Sequence, residues 1–195
     1  MTRRFIVGVS GASGMIYTVR LLQVLRGLKA EVHLILTRAA EKVLGNEGPL
    51  TVSQLKALAS HCYDPEDLEA PIASGDFSHE GMVVAPCSMK TLAGIASGYS
   101  QNLLLRAADV ALKEGRKLIL VPRETPLNPI HLENMLKLAR LGVVILPAMP
   151  AFYHKPENLS QLADFIVGKI LDQLGVEHRL YRKWRQPSNL KGRKI

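Results

Sequence analysis

The chain has 195 residues, 47% of them hydrophobic, with mean hydropathy near zero, which suits one globular domain with a sizeable core. No apolar run is long enough to span a bilayer and no secretory signal pattern opens the sequence, so a cytoplasmic protein is expected. The formal net charge of +8 sits mostly at the end, where residues 176–195 hold seven Lys or Arg against one Glu; a basic terminal run reads as a solvated tail rather than a nucleic-acid surface.

In chain order, Phe5-Ile-Val-Gly-Val reads as a buried strand. The glycine turn Gly8-x-x-Gly11-x-x-Gly14 follows it, and then an apolar-periodic helix over 15–28. Residues 30–37 form a second strand and 38–44 a short helix, broken by Asn46-Glu47-Gly48-Pro49. A helix over 51–60 is capped by Thr51. Residues 63–79 are irregular and long for a compact domain, which points to function. The strand at 81–86 leads into a helix capped by Ser88. A second helix over 102–114, the strand 117–122, a helix over 131–141, the strand 143–147 and a last helix over 159–174 complete the chain. Alternating strands and helices imply an α/β fold, a doubly wound parallel sheet covered on both faces.

In such sheets ligands bind beyond the carboxyl ends of the strands. The residues there are Gly11-Ala12-Ser13, Thr37-Arg38, Cys87-Ser88-Met89-Lys90-Thr91, Arg123-Glu124 and Phe152-Tyr153-His154. The glycine turn opening a helix is a phosphate cradle, because unpaired N–H groups and the positive end of the helix dipole meet there. It also has a purely structural explanation as a turn. Its spacing is not G-x-G-x-x-G, and the second strand ends in Thr37-Arg38 rather than an acid for ribose hydroxyls. The hydroxyls of Ser13, Thr37, Ser88 and Thr91, with Arg123, therefore suit a mononucleotide better than a dinucleotide. Ser88 is equally a plain helix cap. Arg106 and Lys113 share one helix face, and Asp109 and Glu114 nearby favour a salt-bridged exterior. Glu47, in a turn, reads as surface. Glu124 beside Arg123 has the surroundings of a proton-transfer group. Cys62 and Cys87 form no CxxC pair, and the six histidines show no HExxH spacing, so neither a disulfide framework nor a protein-held metal is expected.

Along nearly its whole length the sequence resembles the UbiX flavin prenyltransferases, including their phenylacrylic or hydroxyarylic acid decarboxylase branch. The resemblance rests on GxSGASG at 8–14, PCSxxTL at 86–92, LLxRAADVxLKE at 103–114, VPRETP at 121–126, HLENMLKLxxLG at 131–142 and PAFYHKP at 150–156. It implies a single three-layer Rossmann-like flavoprotein domain over 1–175. The basic tail, 176–195, would close the site or be partly disordered. The implied reaction moves a dimethylallyl group from its monophosphate to N5 and C6 of reduced FMN, without a metal, in a homododecamer. A UbiD-type aromatic acid decarboxylase would receive the prenylated FMN.

Carried over by position, FMN contacts fall on Gly11, Ala12, Ser13, Thr37, Ser88, Met89, Lys90, Thr91 and Arg123. Thr37 stands where the family usually has Ser, and keeps the hydroxyl. The prenyl phosphate falls to Ser74, Arg106, Lys113, Arg123, Tyr153 and Lys169, with Trp184 of the tail helping to close the site. Ser13, Glu47, Lys113 and Glu124 carry the chemistry. Lys169 replaces the common Arg and loses its bidentate fork. Two rival readings are an FMN-dependent decarboxylase acting directly on aromatic acids and a non-catalytic FMN-binding subunit of a decarboxylase complex.

Overall fold

Strict alternation along the strands divides the core into two layers. In β1 (Arg4–Val9), Phe5, Val7 and Val9 join one buried cluster while Ile6 joins the other. β4 (Gly81–Cys87) repeats the pattern, with Val83 and Ala85 on the first face and Met82 and Val84 on the second. This period of two is what a sheet covered on both sides requires. The computed structural model of the chain describes residues 2–184.

β2 (Glu31–Leu36), β3 (His61–Tyr63), β5 (Leu118–Pro122) and β6 (Val144–Ile145) complete a six-stranded sheet in the order β3-β2-β1-β4-β5-β6, with every neighbouring pair parallel. On the first face lie α1 (Met15–Gly27) and α7 (Leu159–Leu174), whose Leu21, Leu22, Ile166 and Ile170 are fully shielded. On the second lie α4 (Met89–Ser97), α5 (Leu103–Lys113) and α6 (Pro129–Arg140). Leu104, Ala107 and Ala111 of α5 press on Ile6, Met82 and Leu120. α2 (Arg38–Glu47) and α3 (Val52–Lys56) connect β2 to β3.

The expected α/β architecture is present, with local differences. The helix expected over 51–60 stops at Lys56, although Thr51 does cap it, in a box with Gln54. The chain then forms β3, an edge strand of three residues that the sequence reading misses. α2 runs on to Glu47 instead of ending at residue 44. α6 begins at Pro129, capped by Asn128, rather than at His131. The irregular stretch from residue 64 holds a short 3-10 turn, Pro71–Ala73. Among the described residues no helix is long and apolar enough to cross a membrane. Of the tail at 176–195, residues 185–195 lie outside the described part.

Candidate active site

The strand order reverses direction between β1 and β4, which leaves a crevice at their carboxyl ends. Ser10 locks its two sides together. Its buried hydroxyl donates to the Pro86 carbonyl at 3.0 Å and accepts the Ser88 N–H at 2.7 Å. Gly11 then brings the backbone against the first turn of α2; a Cβ there would stand 2.5 Å from the Ala39 Cβ. Thr37 caps α2, accepting the Ala40 N–H at 3.2 Å and donating to the Val9 carbonyl at 3.1 Å. Ser88 caps α4, accepting the Thr91 N–H at 3.3 Å and donating to the Thr91 hydroxyl at 3.1 Å. Two helix N-termini thus open onto one cleft, and their positive ends favour an anion. The cleft measures about 710 Å³ and is lined by Ser10, Gly11, Thr37, Arg38, Ser88, Lys90 and Thr91, with Pro65, Tyr99 and Asn134. That volume lies within the range of about 300–1,000 Å³ typical of small-molecule pockets.

The start of α1 has a different partner from the one its sequence suggests. Gly14 adopts φ 113°, a left-handed conformation that favours glycine, and no side chain caps the helix. Glu47 does this work from the end of α2: its carboxylate accepts the Gly14 N–H at 3.1 Å and the Ser13 hydroxyl at 3.1 Å. Glu47 is therefore no idle turn residue, since it joins α2 to the glycine turn. Burial raises the pKa of Tyr17, next to this turn, and the nearby Arg123 opposes that rise.

Of the expected mononucleotide contacts, Gly11, Thr37, Ser88, Lys90 and Thr91 line the cleft. Ala12 is buried, and its N–H folds back onto the Ser10 carbonyl at 2.9 Å. Ser13 faces Glu47. The Met89 side chain points into the second core layer, 7% exposed, so only its backbone remains for a ligand. Arg123 leaves β5 beside the end of β4, its N–H held by the Cys87 carbonyl at 3.2 Å. Glu124 is exposed, and its carboxylate accepts the Thr125 N–H at 3.2 Å; it does not line the cleft. Cys87 is fully buried, and burial drives its thiol pKa far up. It is a core residue, not a nucleophile.

The groups expected around a second phosphate separate into two sets. Ser74, Arg106 and Lys113 gather where the irregular stretch crosses α5, on the second face. Arg106 donates to the Ala73 carbonyl at 3.2 Å and pairs with Asp109 at 2.9 Å, while Lys113 pairs with Glu114 beside Gly75. The salt-bridged exterior is thus real. Tyr153, Lys169 and Trp184 gather against α7, on the first face. The Tyr153 ring meets Trp184 edge-on at 5.1 Å and Phe165 at 6.0 Å, and Lys169 lies over the Tyr181 ring at 5.9 Å. Asp172 organises this side, accepting the Tyr181 hydroxyl at 2.6 Å and pairing with His178 at 3.1 Å. Burial works to raise the Asp172 pKa, but those hydrogen bonds outweigh it and hold the carboxyl below its usual range. The sheet lies between the two sets. Sequence reasoning misses Ser10 and Asp172; the first hydroxyl after β1 is the one local signal for Ser10, and nothing local marks Asp172.

A parallel sheet in this order, with a glycine turn and capped helices at its crevice, defines an α/β protein that binds a nucleotide phosphate. Comparison with known proteins narrows the class. The Flavoprotein family profile matches residues 1–171. The flavin prenyltransferase UbiX of Methanocaldococcus jannaschii is 49% identical over 181 residues, covering 93% of this chain and 98% of that protein. A dodecameric FMN-dependent UbiX-like decarboxylase from Escherichia coli O157:H7 superposes with TM-score 0.92 at 49% identity, covering 94% of this chain and 100% of the other. AnUbiX (PadA1), solved in complex with FMN and dimethylallyl pyrophosphate, gives TM-score 0.93 at 43% identity, covering 95% and 99%. The chain belongs to the flavoprotein family and, within it, to the UbiX flavin prenyltransferases.

Proposed function

We propose that this chain is a flavin prenyltransferase that joins a dimethylallyl group to reduced FMN and hands the prenylated flavin to a UbiD-type aromatic acid decarboxylase. The observation that carries this reading is the presence of two kinds of site. One is a hydroxyl-lined cleft at the β1/β4 crevice; the other is a divided set of cations with an aromatic wall. A bare FMN carrier has no use for the second.

The cleft fits FMN by its donors. Thr37, Ser88 and Thr91 offer hydroxyls for a ribityl phosphate, and the N-termini of α2 and α4 offer charge complementarity. β2 runs into Thr37 rather than into a carboxylate for the ribose of a dinucleotide. Reduced FMN, when bound, supplies the nucleophilic N5 and C6 positions. Arg106, Lys113, Arg123 and Lys169 would hold the phosphate of the donor and neutralise it as it leaves, an electrostatic task that fixed cations perform well in a water-poor site. Tyr153 and Trp184 would shelter the allyl cation with their ring faces. Glu47, held on Ser13, and Glu124 would manage the protons displaced as the new ring closes.

Neither face carries the whole phosphate set, so a second copy of the chain completes it, bringing Ser74, Arg106 and Lys113 of one subunit to Tyr153 and Lys169 of another. An exposed apolar pair on α6 supports self-association: Leu132, 53% exposed, and Leu136, 52%, lie one turn apart on one face. We place the protein in the cytoplasm and divide it at 175, the segment beyond closing over Tyr153 through Trp184.

Anaerobic incubation with reduced FMN and either dimethylallyl monophosphate or pyrophosphate tests the reading. Mass spectrometry of the released flavin should show one added prenyl unit. Unchanged flavin, with the protein alone decarboxylating a hydroxybenzoate, would establish direct decarboxylation instead. Arg106→Ala and Tyr153→Phe should each slow prenylation about 100-fold, and mixed subunits of the two variants should regain part of the rate. Glu124→Gln should bind FMN normally and turn over slowly.

A further inference from the structure

At the opposite end of the sheet, β2 and β3 bring together residues far apart in the chain. Register pairs His33 with His61 and Ile35 with Tyr63. Because side chains alternate, Glu31, two residues before His33, shares the same face, and so does Tyr63. The Glu31 carboxylate Oε1 lies 3.0 Å from His33 Nε2 and 3.5 Å from His61 Nε2, and all three ligand atoms fall within 4.8 Å of one another. Ligands about 2.05 Å from a tetrahedral zinc stand roughly 3.3 Å apart, which the two Glu31 distances match. The His33 and His61 rings stack with centroids 4.6 Å apart, so His61 turns to bring its Nε2 onto the same ion.

We infer that Glu31, His33 and His61 form a binding site for a divalent transition metal of the zinc type, separate from the prenyl-transfer site. The surroundings have the form such sites need. His33 Nδ1 meets the Tyr63 hydroxyl at 2.8 Å, which leaves Nε2 for the metal and fixes the ring, as an outer-shell partner should. Arg4 holds the other Glu31 oxygen at 3.0 Å, steering Oε1 inward. Phe77 packs edge-on against His33 at 4.7 Å and makes a dry floor. The His61 side chain is 53% exposed, so it can swing to close the shell and leaves a fourth position for water.

Such a metal would clip the three-residue edge strand β3 to β2, and with it the start of the stretch that carries Ser74. The test is zinc titration of the full, chelator-stripped chain by calorimetry, followed by cobalt substitution read in visible absorption. One zinc per chain at micromolar affinity or tighter is expected, with a tetrahedral cobalt spectrum. Tyr63→Phe should weaken binding about 10- to 100-fold. His61→Ala and Glu31→Gln should weaken it at least as much while far-UV circular dichroism stays unchanged. Cys62→Ser should leave it intact, since Cys62 points to the other face. No binding at millimolar zinc, wild-type affinity in His61→Ala, or loss of binding in Cys62→Ser would each overturn the assignment.

Discussion

The two edges of one sheet are built from opposite materials. The carboxyl edge is tied together mainly by short, uncharged side chains, Ser10, Thr37, Ser88 and Thr91, each committed to groups that helix starts and strand ends leave over, with Arg38 and Lys90 at the cleft wall and Glu47 on the glycine turn. The amino edge gathers the titratable groups Arg4, Glu31, His33, His61 and His79 around Phe77. The neutral hydrogen bonds of Ser10, Thr37 and Ser88 keep this part of the cleft in shape across a wide pH range. The amino edge is the place where protons and metals act on stability.

The sharpest way to break this division is Gly11→Val. Its side chain would collide with Ala39, so FMN affinity should fall at least about 100-fold, measured by flavin fluorescence, while the response to pH is untouched. The opposite cut is His79→Leu. Burial first, then Arg116, drives His79 from its ordinary value down to about 4. The unfolded chain therefore binds a proton between about pH 6.5 and 4 that the folded chain refuses, so stability falls as pH drops through that window. The loss approaches about 3 kcal/mol by linkage. Denaturant melts at several pH values should show a flatter profile for His79→Leu with FMN affinity kept. A profile as steep as wild type would remove His79 as its source. The smallest effect is Thr37→Ala, which deletes one cap: about 1 kcal/mol of stability and a few-fold loss in FMN affinity, with Thr37→Ser close to wild type.

What the sequence makes legible follows from distance along the chain. The glycine turn, the Ser88 cap and the buried strands are local patterns, readable from neighbours three or four residues away. Ser13 and Glu47 are 34 positions apart, and their bond exists because α2 outlasts the expected break and returns its last turn to the start of α1. β3 escapes notice because His61-Cys62-Tyr63 is too short to show a period and, at the edge, needs no apolar run. His33 and His61 meet through register alone. The division of the cations is equally hidden: motif order places Arg106 and Tyr153 in one set, and only the sheet between them shows that they face apart.

That separation governs how the assembly responds to damaged subunits. If each catalytic centre draws one half from either face of two neighbours, every subunit serves two centres. A chain with one spoiled face silences one centre, and activity declines in proportion to its share of the mixture. A chain with both faces spoiled silences two, so activity falls as the square of the intact fraction. Gene dosage would then read out whether a mutation spoils one face or both, without any measurement on the isolated protein.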